Sequence, residues 1–291
     1  MTMGGAWSSW VSAVEVADAL GRDDLVVVDA RFELAVKQAA PDVGEVAWRQ
    51  TRIPGARYAH LDRDLSDRRK IEHGRHPWPD AADFTARLGA WGISPSSQVV
   101  AYDAAGGALA AARLWFLLRA LGHSRVAVLD GGWQHWQALG LPVEAGEPAP
   151  VAPKAPYSGS FDPDLLLDAG QVQAHLDTGG LLVDARAPER FRGEVEPIDR
   201  VGGHVPGALN RPFAANLVDG MAKPADVLAL EFETLLAGRE PRELVAMCGS
   251  GVTACHHLLA MAHAGLPGAR LFTGSWSGWI EDPARPVATG D

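Results

Sequence analysis

Three short phrases occur twice in this chain, and that repetition constrains the fold more than anything else. "LVVVDAR" closes at Arg31 and "GLLVDAR" at Arg186. "IPGA" begins at Ile53 and "VPGA" at Val205. "LDGGWQHW" carries Trp133 and Trp136, and "FTGSWSGW" carries Trp276 and Trp279. The matches come in one order, each pair about 150 residues apart, which marks an internal duplication. The 291 residues therefore read as two homologous halves, each near the ordinary size of a domain. Between them, residues 141–163 hold six prolines and little apolar periodicity. Proline fixes φ and removes a backbone donor, so an extended, semi-rigid connection is expected. The expected organisation is a first domain over residues 1–142, a proline-rich linker over 143–163 and a second domain over 164–291.

Within each half, short apolar runs alternate with helical patterns. The runs are "LVVVDA", "QVVAYDA" and "RVAVLDG" in the first half, and "LLVDAR", "ELVAMC" and "ARLFTG" in the second. Unalternated Val- and Leu-rich runs suit strands buried on both faces. "DAADFTARLGAW", "GALAAARLWFLLRAL" and "ADVLALEFETLLAG" suit helices. The alternation predicts an α/β fold, a parallel sheet flanked by helices in each half. Ligands of such sheets sit at the carboxyl ends of the strands. Asp29, Asp103, Asp184 and Cys248 fall there. Asp29 and Asp184 equally suit capping of the turn that follows a strand.

Charge and composition narrow the function. The net charge is −10, and the longest basic run is Arg68-Arg69-Lys70, which argues against nucleic acid or an anionic membrane surface as partner. No apolar run approaches the ~20 residues of a membrane helix. "MTMGGAWSSW" lacks the basic and apolar regions of a secretion signal. Two cysteines cannot build a disulfide framework, and the composition suits a reducing, cytoplasmic setting.

One of those cysteines, Cys248, ends an apolar run and opens the loop Gly249, Ser250, Gly251, Val252, Thr253 before the helical stretch "ACHHLLAMAHAG". Backbone N–H groups at a helix start are unpaired and partly positive, so a loop wrapped round the sulfur favours a thiolate and an anion beside it. Gly249 and Gly251 permit close approach and positive φ; Ser250 and Thr253 add hydroxyls. A free cysteine is most often a buried packing residue, but strand end, glycines and helix together favour a nucleophile. Cys255, two helical turns on, is too far for a disulfide with Cys248 and reads as core. His256 and His257 point to different helix faces and no CxxC pair exists, so neither a metal nor another cofactor is expected.

Three thiol chemistries compete. A tyrosine-phosphatase site needs an arginine six residues after the cysteine; here that residue is Ala254. A thioredoxin-type exchanger needs a second nearby cysteine. Sulfur transfer, with the thiolate holding a sulfane sulfur as a persulfide, needs only the amides.

These phrases also carry a resemblance. "GHVPGALN", "CGSGVTA" and "GSWSGW" in the second half, with "IPGA", "GRHPWP", "VVAYD" and "VLDGGWQHW" in the first, resemble the tandem-domain rhodanese family of sulfurtransferases over almost the whole chain. "CGSGVT" is similar to the loop of the 3-mercaptopyruvate sulfurtransferases; thiosulfate sulfurtransferases typically carry Arg and Lys there. A neutral loop suits a donor whose carboxylate lies away from the sulfur. The resemblance implies that Cys248 is catalytic and that arginines after "DAR" bind the substrate. In "DARAPERFRGEVEPIDR" it puts Arg190 in that role, with Arg200 nearest to a second one. Arg186 and Arg192 are alternatives whose bland reading is a salt bridge to Glu189, Glu194 or Glu196.

Asp103 stands where the first half would carry its cysteine, so the resemblance implies a silent first domain that closes the site from one side. His76 and the "RYAHLDRD" segment, with His60 and Asp62, are its candidate contributions, and their roles stay open. The function implied is transfer of sulfur from 3-mercaptopyruvate to a thiol such as thioredoxin, or to cyanide, through a Cys248 persulfide. A thiosulfate:cyanide sulfurtransferase and a slow sulfur carrier are the alternatives.

Overall fold

The computed structural model describes residues 6–33, 42–152, 154 and 157–291. Residues 1–5 of the segment read for a secretion signal, and residues 153, 155 and 156 of the linker, lie outside the described residues. The chain forms two compact units. The first comprises the chain up to Leu65, Pro79–Phe161 and Gly220–Ala222; the second comprises Ser66–Trp78, Asp162–Asp219 and Lys223–Asp291. The units therefore do not follow a single cut in the sequence. Ser66–Trp78 lies in the first half of the chain but belongs to the second unit.

Each unit is built on a five-stranded parallel sheet. In the first, the spatial order is Trp10–Val11, Val126–Leu129, Gln98–Tyr102, Leu25–Asp29 and Arg57–Tyr58. In the second it is Leu166–Leu167, Arg270–Phe272, Leu244–Met247, Leu181–Asp184 and Leu209–Asn210. The central strands, Gln98–Tyr102 and Leu244–Met247, are buried at every residue. Helices on the sheet faces account for this: Ala110–Ala120 packs on the first and Ala254–His263 on the second. Burying each Val or Leu side chain on both sides in this way contributes about 1.5–3 kcal/mol. The outer strands are only two residues each, too short for a periodicity to announce them.

The repeated phrases have one structural job in both units. Arg31 binds both carboxylate oxygens of Asp29 and donates to the Thr51 carbonyl at 2.6 Å; Arg186 does the same with Asp184 and the Gly203 carbonyl at 2.7 Å. The guanidinium of Arg31 stacks 4.5 Å from the Trp133 ring and that of Arg186 lies 4.7 Å from Trp276. Such buried, forked and stacked arginines hold the turn after one strand against the helix after another. Asp29 and Asp184 also accept the backbone N–H of Arg31 and Arg186, so they cap their turns. In each "PGA" the Ala N–H closes a turn onto the residue before proline, at 3.0 Å for Ala56 to Ile53 and for Ala208 to Val205, and the outer strand follows. Trp136 and Trp279, both fully buried, donate their indole N–H to the carbonyls of Pro142 and Pro286 at 2.9 Å.

The described part of the proline-rich stretch lies along the first unit. Glu144 exchanges both backbone hydrogen bonds with Arg52, and Lys154 and Tyr157 donate to Gly89 and Thr85. Among the described residues, no helix is long and apolar enough to cross a membrane.

Candidate active site

Cys248 follows the central strand of the second sheet directly, so the sheet delivers its thiol to the carboxyl edge. It is a free cysteine, 2% exposed. Its backbone is held at both ends: the N–H donates to Ser275 Oγ at 3.1 Å and the carbonyl accepts from Trp276 N–H at 2.9 Å. The next carbonyl, Gly249, accepts from Ser277 N–H at 2.9 Å. "FTGSWSGW" thus grips the start of the loop.

The loop runs from Gly249 to Thr253, and the helix Ala254–His263 begins directly after it. Gly251 has φ +74°, a conformation that suits a residue without Cβ. Among the described residues, the N–H groups of Gly249, Ser250, Val252 and Thr253 donate to no protein acceptor. Four unspent amides in one turn are an electropositive concavity. The Thr253 side chain makes no capping bond. Cys255 is fully buried and donates its thiol to the Gly251 carbonyl at 3.3 Å.

The first unit has the same construction with the ligand built in. The Trp133 N–H donates to the Asp103 carbonyl at 2.9 Å, as Trp276 does to Cys248. The fully buried Asp103 carboxylate accepts the backbone N–H groups of Ala105, Gly107, Leu109 and Ala111 at 2.8–3.1 Å. Burial raises its carboxyl above the ordinary value, and the four N–H bonds oppose that rise.

Two guanidinium groups stand over the second loop. A Cβ built on Gly249 would lie 2.8 Å from Arg75 Nη2 and 3.7 Å from Nη1 and Nη2 of Arg190. Glycine at 249 therefore makes room for Arg75, while Arg190 lies at an ordinary contact distance. Arg190 comes from the short helix Pro188–Phe191 and pairs with Glu196 at 2.8 Å and Asp199 at 3.1 Å. Arg75 comes from Ser66–Trp78 and pairs with the other oxygen of Asp199. Burial lowers the pKa of the Arg75 guanidinium; the charge of Cys248 acts against this, and neighbouring Arg190 adds to it. His76, next in the same segment and buried, is hydrogen-bonded through Nδ1 to Ser250 Oγ at 2.7 Å.

The remaining candidates fall elsewhere. Arg186 is locked to Asp184 under Trp276, and Arg192 forms an exposed pair with Glu194 at 2.7 Å. Arg200 is exposed and, among the described residues, has no side-chain partner; the second guanidinium at the loop is Arg75. His60 caps the short helix Leu61–Asp64, which contains Asp62. His256 and His257 face Asn216 Nδ2 at 3.0 Å each, a buried polar knot. Arg75 escaped the sequence reading because it is far from Cys248 in the chain. The only available signal was its place beside His76 in "GRHPWP".

Comparison with known proteins agrees with this architecture. A model of the rhodanese-like domain matches residues 12–139 and 168–282. The chain is 50% identical to a probable 3-mercaptopyruvate sulfurtransferase of Pseudomonas aeruginosa, over 97% of this chain and 98% of the relative. It is 38% identical to a putative thiosulfate sulfurtransferase of Mycobacterium tuberculosis, over 96% of both. The solved 3-mercaptopyruvate sulfurtransferase of Leishmania major superposes with a TM-score of 0.82 at 29% identity, covering 95% of this chain and 76% of that one. Both units carry the matched domain, and the chain belongs to the rhodanese-like family.

Proposed function

We propose that this chain is a sulfurtransferase that takes sulfur from 3-mercaptopyruvate onto Cys248 and passes it to a thiol. The observation that carries the reading is the pair Arg75 and Arg190 over Gly249, one residue from a buried thiol in a loop with no cation of its own. A donor with its carboxylate set apart from its sulfur matches that division. The name of the Pseudomonas relative agrees.

The chemistry follows from the groups present. The Cys248 thiolate attacks the donor's thiol sulfur. The carbon–sulfur bond breaks and its electron pair passes into the enolate of pyruvate. The donor's S–H proton balances the proton required at carbon, so one proton moves from sulfur to the departing enolate. Ser250, hydrogen-bonded to His76, is placed to relay it. The product on the enzyme is Cys248–S–S⁻, and the unspent amides of Gly249, Ser250, Val252 and Thr253 stabilise its terminal charge. An acceptor thiolate then attacks that outer sulfur, forms its own persulfide and releases the Cys248 thiolate. Thioredoxin is the acceptor protein we favour, and cyanide would leave as thiocyanate. Two buried free cysteines suit a reducing compartment, and we place the protein in the cytoplasm.

A second reading, thiosulfate as the donor, draws on the name of the Mycobacterium relative. Steady-state turnover with each donor, and mass spectrometry of Cys248 after donor addition, test both. Preference for 3-mercaptopyruvate, one added sulfur on Cys248 and no turnover by Cys248→Ser are expected. Full activity of Cys248→Ser would end the mechanism, and preference for thiosulfate would end the donor assignment. A sulfur adduct without repeated turnover would point to a carrier.

A further inference from the structure

The two arginines over Gly249 come from different parts of the chain, and only Arg190 lies in the segment after "DAR". We propose that Arg75 is the second residue that grips the donor's carboxylate, so that the anion seat is Arg75 with Arg190 and not Arg190 with Arg200. This rests on the reading of Cys248 as the sulfur carrier for an α-keto acid thiol.

Position is the first support. Arg75 Nη2 is the nearest atom to where a Gly249 Cβ would stand, closer than either terminal nitrogen of Arg190. Spacing is the second. One carboxylate, Asp199, already bridges the two guanidiniums, with one oxygen on Arg75 and the other on Arg190. Their separation is therefore one that a single carboxylate spans. Donor capacity is the third. Arg75 Nε is buried with no partner, and neither Arg75 Nη2 nor Arg190 Nη1 has a hydrogen-bond acceptor among the described residues. Unspent N–H groups on two convergent guanidiniums suit a carboxylate and the keto oxygen beside it. Arg200 offers none of this: Asp199 turns into the cluster, 4% exposed, while Arg200 is exposed. The segment is also anchored, since Gly74 N–H donates to Glu281 and Arg75 N–H to Ser277 Oγ at 3.0 Å.

An arginine that only neutralised Asp199 would leave donor affinity alone, so kinetics separate the two roles. The full chain is compared as wild type, R75A, R75Q, R190A and R200A. The readouts are KM for 3-mercaptopyruvate, inhibition by pyruvate, melting midpoint and loading of Cys248 by inorganic polysulfide, a donor without a carboxylate. R75A and R190A are each expected to raise KM about tenfold or more and to weaken pyruvate inhibition in parallel. Polysulfide loading, which needs no carboxylate grip, falls far less than turnover of 3-mercaptopyruvate, and R200A behaves as wild type. R75Q, which can still hydrogen-bond Asp199, shows the same KM rise and serves if R75A does not fold. An unchanged KM and pyruvate inhibition in R75A or R75Q, or the loss appearing in R200A instead, overturns the proposal while leaving the donor assignment standing. A wild-type protein inert towards 3-mercaptopyruvate overturns both.

Discussion

Ser275 accepts the backbone N–H of Cys248 on its hydroxyl while its own backbone sits in the left-handed region, at φ +50°. The first unit has Gly132 at the matching place in "GGW", at φ +58°, where no side chain reaches back. A non-glycine residue in this region costs on the order of 1 kcal/mol. The hydroxyl that offsets it fixes the amide of Cys248.

That exchange sets up a pair of variants. Ser275→Ala keeps the strained backbone and loses the acceptor; Ser275→Gly relieves the strain and loses the same acceptor. Both should lower kcat about tenfold, by about 1.4 kcal/mol of misplaced loop, while the melting midpoint falls in the first and holds or rises in the second. Wild-type kcat in Ser275→Gly would show that the hydroxyl does not align Cys248.

Gly249→Ala inserts a methyl group 2.8 Å from Arg75 Nη2. The clash is with the far end of a flexible side chain, so the fold should survive with a midpoint close to wild type. KM for 3-mercaptopyruvate should rise several-fold as Arg75 is pushed aside. Titrating donor against this variant checks it, and an unchanged KM would remove Gly249 from the anion seat.

Asp199 and Glu196 set the charge around the proposed seat. With both carboxylates beside Arg75 and Arg190, a dianion such as thiosulfate meets about twice the repulsion of a monoanion. Asp199→Asn should therefore raise kcat/KM for thiosulfate relative to that for 3-mercaptopyruvate. Competition between the two donors measures the ratio directly; a ratio unmoved or shifted the other way contradicts the argument.

Arg186 and Arg190 are four residues apart but should fail differently. Arg186→Ala strands the fully buried Asp184 carboxylate and removes the stack on Trp276, a loss of about 3–5 kcal/mol. Denaturant unfolding should show that loss, whereas Arg190→Ala should unfold near wild type and fail in donor binding.

His256 and His257 give the fold a pH dependence. Burial, with Arg211 adding to it, pushes both down to about 3. The unfolded chain takes up these protons near pH 6.5, so their contribution is complete above about pH 6.5 and is lost as pH falls towards 3. Between about pH 7 and 5.5, before carboxylates titrate, the second unit should lose up to about 2.5 kcal/mol. Melting curves across that range should flatten in His256→Gln/His257→Gln; an equally steep slope would place the effect elsewhere.

The duplicated plan was legible because it is written in local signals. The buried central strands are unbroken apolar runs, and each pair of repeated phrases builds the same buried arginine, proline turn or tryptophan anchor. The cysteine loop was legible for the same reason, since strand end, glycines and helix start are contiguous. Ser66–Trp78 was not, because neither apolar period nor turn chemistry records which unit a segment joins. Arg75 and His76 went with it. Arg200 drew attention through proximity to Arg190, yet one residue of rotation in an irregular loop sends Asp199 inwards and Arg200 to solvent.

The Asp103 carboxylate gives the two copies different dependences on their surroundings. Its oxygens saturate the amides of their loop from within the chain, a tethered occupant that dilution cannot remove. The loop of the first unit is complete as soon as it folds. In the loop that begins at Cys248, the N–H groups of Gly249, Ser250, Val252 and Thr253 meet no acceptor among the described residues, which leaves them for the charge of the proposed persulfide. Of two copies of one plan, one carries its anion in its own sequence, and the other, on the proposed function, takes a new one in each turnover.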